Sequence, residues 1–175
     1  MQHRRHFLQA IGSAAAFGSF PLLSAWAQTQ PLDQVKIMYG FPPGSAGDSV
    51  ARRVAEKLGG TAYSKSPGYV ENKPGAGGRI AVESLKNAPA DGSVLTLAPV
   101  SALAVYPHIY PKLSYKPEDV VPVSIGAVMH HGLAVGPAVP PEVKTLKDFL
   151  AWAKANPEKA SYGSPGAGSM PHLLG

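Results

Sequence analysis

The chain has 175 residues, with 16 Lys and Arg against 11 Asp and Glu, a net charge of +5 and no cysteine. Disulfides and thiolate metal sites are thereby excluded, and basic residues scattered without runs or interleaved aromatics argue against a nucleic-acid partner. A mildly positive field favours the capture of anionic solutes.

Residues 1–27 read as an export signal. Arg4-Arg5 opens a charged region, Ala10 to Ser24 is weakly apolar and broken by Pro21, and Ala25-Trp26-Ala27 has the small-x-small pattern of a cleavage site. Two arginines ahead of x-Phe-Leu resemble a twin-arginine signal. The run is too short and too interrupted to serve as a membrane anchor. Cleavage after Ala27 removes two basic residues and no acid, so the mature chain stays mildly basic.

The first element is a short apolar strand, Val35 to Tyr39, followed by Phe41-Pro42-Pro43-Gly44-Ser45-Ala46-Gly47-Asp48 and a helix through Leu58. The prolines stiffen the strand exit, and Gly44 and Gly47 let backbone N–H groups approach a ligand. Ser45 and Asp48 have the spacing of a capping box. A helix start carries unpaired N–H groups and about half a positive charge, which favours a carboxylate or phosphate. Arg52, Arg53, Glu56 and Lys57 lie off the Val50, Val54, Leu58 stripe and form a solvated face.

Gly59-Gly60 ends that helix. Tyr69 to Glu71 reads as a second strand, Asn72 to Gly78 as a second glycine loop, and Arg79 to Asn87 as a helix. Asp91-Gly92 forms a turn into a third strand, Ser93 to Ala98, with a helix expected over Ala102 to His108. Further strands are expected at Val121 to Val128, Leu133 to Val135 and Ala160 to Ser164. Between the last two, Thr145 and Asp148 form another capping box, opening an amphipathic helix that Pro157 stops after Ala155. The final strand feeds another glycine loop, Ser164 to Ser169, with Ser169 as N-cap of a helix containing His172. Strands alternating with helices give an α/β class with a largely parallel sheet, whose ligands sit at the strands' carboxyl ends.

The chain contains Phe-Pro-Pro-Gly to Ala51-Arg52 (41–52), Val-Glu-Asn-Lys-Pro-Gly-Ala-Gly-Gly (70–78), Pro-Ala-Asp-Gly (89–92) and Tyr-Gly-Ser-Pro-Gly-Ala-Gly-Ser-x-Pro-His-Leu (162–173), in that order. With the export signal, this resembles the tripartite tricarboxylate transporter substrate-binding receptors, or Bug receptors. The resemblance implies a periplasmic binding protein fold, with two α/β lobes around a cleft: lobe 1 over residues 28–130 and the start of lobe 2 over 131–175. Family members are longer, and the chain stops one turn into the helix that Ser169 opens, so a truncated second lobe is expected. Ser45 stands where the family usually has glycine, and residues 63–67 depart from its pattern.

What the resemblance implies for function is a periplasmic, monomeric receptor that closes on a small carboxylate and delivers it to the transporter's membrane subunits. The implied ligand-binding residues are Gly44, Ser45, Ala46, Gly47 and Asp48 in loop one and Ser164, Gly166, Ala167, Gly168 and Ser169 in loop two; Ser101, after the third strand, is a further cleft candidate from its position. Asp48 has two readings, as a capping carboxylate or as an acceptor for a ligand ammonium. Ser101 has a competing role as a helix N-cap. No enzymatic activity, cofactor or metal is expected.

Two alternatives stand beside this reading. One is a truncated fragment that binds nothing. The other is a secreted α/β hydrolase, but Tyr162 occupies the first glycine position of a G-x-S-x-G elbow at Ser164. His130-His131 point to opposite faces of an extended chain and suit a polar strand end better than a shared metal. His172 suits packing or capping better than catalysis.

Overall fold

The computed structural model describes residues 30–175; the expected export signal lies outside them. Three parallel strands, β1 (Lys36–Tyr39), β2 (Tyr69–Asn72) and β3 (Val94–Leu97), form a sheet in the order β2-β1-β3. Lys36 is level with Tyr69 and Val94, and Tyr39 with Asn72 and Leu97, so all three strands end at one edge. The central strand is the most buried, with Ile37, Met38 and Tyr39 all in the core. Parallel pairing requires crossover connections, which helices supply here.

Helix α1 (Ala46–Leu58) joins β1 to β2, and α2 (Arg79–Lys86) joins β2 to β3. Along β1, Val35, Ile37 and Tyr39 share one face, where Ala51 and Ala55 of α1 pack against them. Small residues on the helix let its backbone come close to the sheet. Helix α2 packs on β3 and β1, and its Val82 enters a second core with Ala102, Tyr106 and Tyr115. Burial pushes the Tyr115 phenol up to about 12.

The segment before β2 that departs from the family pattern is firmly held. Ser64 is fully buried and bridges both Leu32 and Gly59, and Tyr63 donates its hydroxyl to the Gly92 carbonyl at 2.6 Å. Gly68 N–H donates to Ala55 O at 2.7 Å, fixing the turn into β2 against α1.

The helix expected over Ala102 to His108 is instead two single turns, α3 (Ser101–Ala104) and α4 (Tyr106–Ile109). Pro107 lacks the N–H that a continuous helix would require at that point, and the chain breaks at Val105. Pro111 then holds Tyr110 in an extended conformation, which ends α4. Helix α5 (Leu146–Ala155) has both halves of its expected capping box: Asp148 N–H donates to Thr145 Oγ1, and Thr145 N–H to Asp148 Oδ2, each at 3.1 Å. The last helix is α6 (Met170–Leu174).

The expected strands at Val121 to Val128, Leu133 to Val135 and Ala160 to Ser164 do not form. The apolar side chains of the first two stand in solvent, Val121 at 85% and Ile125 at 81% exposure. Strand propensity reflects packing against a neighbouring strand, and no described residue pairs with these segments. Pro122 removes one ladder donor as well.

Gly40, immediately after β1, lies against the second glycine loop: a Cβ there would come within 2.5 Å of the Gly78 Cα. Neither backbone can yield cheaply. Gly40→Ala should destabilise the fold by about 1–3 kcal/mol, measured by urea denaturation against the unaltered chain.

Candidate functional site

Where the three strands end, the loops after them converge. Loop one (residues 40–45) turns into α1, whose N-cap Ser45 accepts the Asp48 N–H on its hydroxyl at 3.3 Å and donates that hydroxyl to Tyr39 Oη at 3.3 Å. The capping box is not reciprocal in the expected way. The Asp48 carboxylate accepts from the N–H of Gly44, not Ser45, at 2.9 Å.

Asp48 is buried, with 2% exposure, and is the most heavily bonded carboxylate among the described residues. Arg52 Nε donates to Oδ2 at 2.9 Å and Nη2 to Oδ1 at 3.2 Å, a two-point ion pair one turn along α1. Asn72 Nδ2 donates to Oδ1 at 2.8 Å and to the Phe41 carbonyl at 3.1 Å, while Arg52 Nη2 also donates to Asn72 Oδ1 at 3.1 Å. The Arg52 guanidinium, aided by Gly44 N–H and Asn72, holds the carboxyl down at about 2 against an ordinary 3.8. Of the two sequence readings of Asp48, this geometry is that of the loop-organising carboxylate.

Asp48 is bonded to Gly44, Arg52 and Asn72 and not to the next N–H groups of the helix start. Among the described residues, the N–H groups of Ser45, Ala46 and Gly47 have no protein acceptor. Gly47 is required here, since a Cβ would collide with the Tyr39 hydroxyl.

The second glycine loop contributes more than the sequence suggested. Ala76, Gly77 and Gly78 are all left-handed, with φ of 49°, 65° and 92°, and turn the chain sharply out of β2 into α2. Gly78 touches Phe41 of loop one and Pro99 after β3. Tyr106 donates its hydroxyl to Gly77 O at 3.1 Å from below. Ser101 follows Pro99 as the first residue of α3, one place inside its N-cap Val100. Its hydroxyl is fully buried with no hydrogen-bond partner among the described residues.

Loop two rests on this second loop. A Cβ at Gly77 would lie 3.0 Å from the Gly168 carbonyl, and one at Gly168 would strike the Tyr110 hydroxyl. Ser169 occupies the N-cap position of α6, but its hydroxyl turns back to donate to Gly166 O at 2.7 Å. His172 reaches back as well, accepting the Gly168 N–H on Nδ1 at 3.1 Å. Ser169 N–H bonds Gly166 O and Ser164 Oγ donates to the same carbonyl at 3.4 Å, so the loop satisfies much of its own backbone. No hydrogen bond joins residues 44–48 to 164–169 among those described. The two loops meet through residues 76–78 lying between them.

Arg79, Tyr106 and Tyr110 had no sequence signal of their own, and Asn72 had only its place in the motif at 70–78. Asn72 and Arg79 flank the glycine run at 75–78, which was the available pointer. Among the described residues, no cluster of three or more His, Cys, Asp or Glu is placed to hold a metal. No described helix is long and apolar enough to cross a membrane.

These features define an α/β protein whose loops gather at the carboxyl edge of a parallel sheet. Residues 49–175 match the family described as the tripartite tricarboxylate transporter family receptor, and the chain belongs to that family. It is a family of transporter receptors rather than of enzymes, and the hydrolase alternative falls with that membership. A UPF0065 protein in the gbd 5' region of Cupriavidus necator is 36% identical over 97% of this chain and 52% of its own length. Protein BugT of Bordetella pertussis is 34% identical over 85% of this chain and 45% of its own. The chain thus spans about half the length of the curated relatives it matches. A solved structure described as a periplasmic transporter shares 36% identity over 48% of this chain and 28% of its own, with a TM-score of 0.41.

Since the Asp48 carboxyl is held below its unfolded value, its contribution to stability is fully present above pH 3.8 and is lost as pH falls toward 2. Asp48→Asn should cost about 1–3 kcal/mol near neutrality. Thermal melts of the two forms should converge as pH drops from 5 to 2.5.

Proposed function

We propose that this chain is the ligand-capturing part of an exported receptor that traps a small carboxylate and delivers it to the membrane subunits of a tripartite transporter. The observation that carries this reading is the set of unpaired N–H groups at Ser45, Ala46 and Gly47. They head a 13-residue helix whose first-turn carboxylate is bonded to the Gly44 N–H rather than to them. Such a terminus combines free donors with the positive end of the helix dipole. The buried Ser101 hydroxyl, which has no protein partner, supports the same reading, because an unsatisfied buried hydroxyl is costly unless something else bonds it.

In this reading residues 1–27 direct export and are cleaved after Ala27, and the receptor works as a monomer in the periplasm. Lobe 1 covers residues 28–130, with the second lobe beginning at 131. Loop two, Ser164 to Ser169, would then supply the facing wall through Gly166 and Ala167, whose N–H groups are not used in the loop's own bonds. A second reading, that a chain of this length binds nothing, draws on the exposed Val121 to Val135 and on the lack of any strand after residue 130 among those described.

Isothermal titration of the chain with acetate, succinate, citrate and glutamate separates the two. The receptor reading expects saturable binding of at least one, and heat signals no greater than dilution for all four overturn it. Ser101→Ala should leave stability unchanged or raise it by up to about 1 kcal/mol while weakening binding about 5- to 10-fold. Undiminished affinity would remove Ser101 from the site.

A further inference from the structure

We infer that Arg79 is a specificity-determining residue that reads a second acidic group of the ligand, which makes the site selective for di- and tricarboxylates over monocarboxylates. The inference rests on the carboxylate-receptor reading and deepens it. It begins from charge pairing around the sheet. Arg52 is paired with Asp48, and Lys36 and Lys73 both reach Glu71, at 3.1 and 3.4 Å. Arg79 opens α2 just after the glycine loop that follows β2, is half-buried, and forms no ion pair among the described residues. Glu83, one turn further along α2, would be its natural partner, yet the guanidinium turns the other way.

Its position is fixed by two contacts. Nε donates to the Ala76 carbonyl at 2.7 Å, and the guanidinium stacks on the Tyr110 ring, 3.7 Å from its centre. A flexible side chain is thereby held in one conformation before any ligand arrives, so little further ordering is needed on binding. The N–H groups of Nη1 and Nη2 have no acceptor among the described residues. A planar pair of such donors matches the two oxygens of a carboxylate, which a lysine ammonium cannot do.

The stack also lies where the glycine loops meet. Tyr110 carries Arg79 on its face and abuts Gly168 of loop two with its hydroxyl, while the neighbouring Tyr106 bonds Gly77 O and meets Tyr110 edge-on at 5.5 Å. An anion against the Nη atoms would therefore sit beside residues 76–78 and loop two. Backbone N–H groups at the start of α1 recognise one carboxylate without regard to what carries it. Arg79 supplies the discrimination that those groups lack.

The test uses the full chain and four probes: acetate, succinate, citrate and the uncharged diamide of succinate. Arg79→Gln should weaken succinate and citrate about 10- to 100-fold and leave acetate unchanged, collapsing the preference for the dianion. Arg79→Lys should restore only part of that preference, since it keeps the charge and loses the fork. A role confined to holding Tyr110 in place would weaken all probes alike, and that outcome overturns the inference. An unchanged succinate-to-acetate ratio overturns it too. If Arg79→Gln loses its near-ultraviolet circular dichroism, the ratio in Arg79→Lys decides, with a severalfold fall expected. Failure of the unaltered chain to bind any carboxylate removes the receptor reading itself, a result separate from the variant comparison.

Discussion

A single buried carboxylate holds the carboxyl edge of this sheet together. Asp48 belongs to α1, but its acceptor positions are filled from three places: the Gly44 N–H in the loop before it, Arg52 one turn beyond it, and Asn72 at the end of the neighbouring strand. Asn72 in turn bonds the Phe41 carbonyl. Loop, helix and second strand are thus fixed to one another through one side chain. Charged hydrogen bonds of this kind are strong when fully satisfied, and removal of any partner leaves a buried charge exposed to its low-dielectric surroundings. The arrangement also determines what the helix start offers: the Asp48 carboxylate is taken up by Gly44, Arg52 and Asn72, and the N–H groups of Ser45, Ala46 and Gly47 have no protein acceptor among the described residues.

Glycine performs a second task at the same edge, that of letting backbones touch. Gly40 against Gly78 and Gly77 against Gly168 are contacts between main chains, and no side chain of any size fits between them. They bring the loops after β1 and β2 and loop two into one layer, with Tyr106 and Tyr110 as its floor. The aromatic pair links this layer to the second core, so the packing of Val82 and Tyr115 has a direct mechanical connection to the loops above.

Much of this was readable in the residues, and the parts that were not share a cause. The strand-loop-helix order through β3 and both capping pairs, Ser45 with Asp48 and Thr145 with Asp148, are local features whose partners lie within a few positions. Even there the other half of the first pair went to Gly44 instead of Ser45, because only the folded loop decides which N–H is nearest. Ser169 read as a cap and does occupy the N-cap position of α6, but its hydroxyl bonds Gly166 O instead of the helix N–H groups. The segments from Val121 to Val135 and Ala160 to Ser164 carry strand-like residues and remain unpaired. A strand is a relation between two segments, and one segment's composition cannot supply the other. Asn72 and Arg79 were overlooked for the same reason, since their partners lie 24 and 31 positions away, at Asp48 and Tyr110.

The unpaired segment around Val121 to Val135 also has a bearing on the life of the chain in a cell. Apolar β-forming residues carried on open backbone invite pairing with any other extended chain they meet, including copies of themselves. The same stretch presents a protease with accessible peptide bonds. The stretch is not remote from the carboxyl edge of the sheet, since Gly126 lies against Leu97 at the end of β3. Polar residues in place of the exposed Val123 and Ile125 would reduce both hazards.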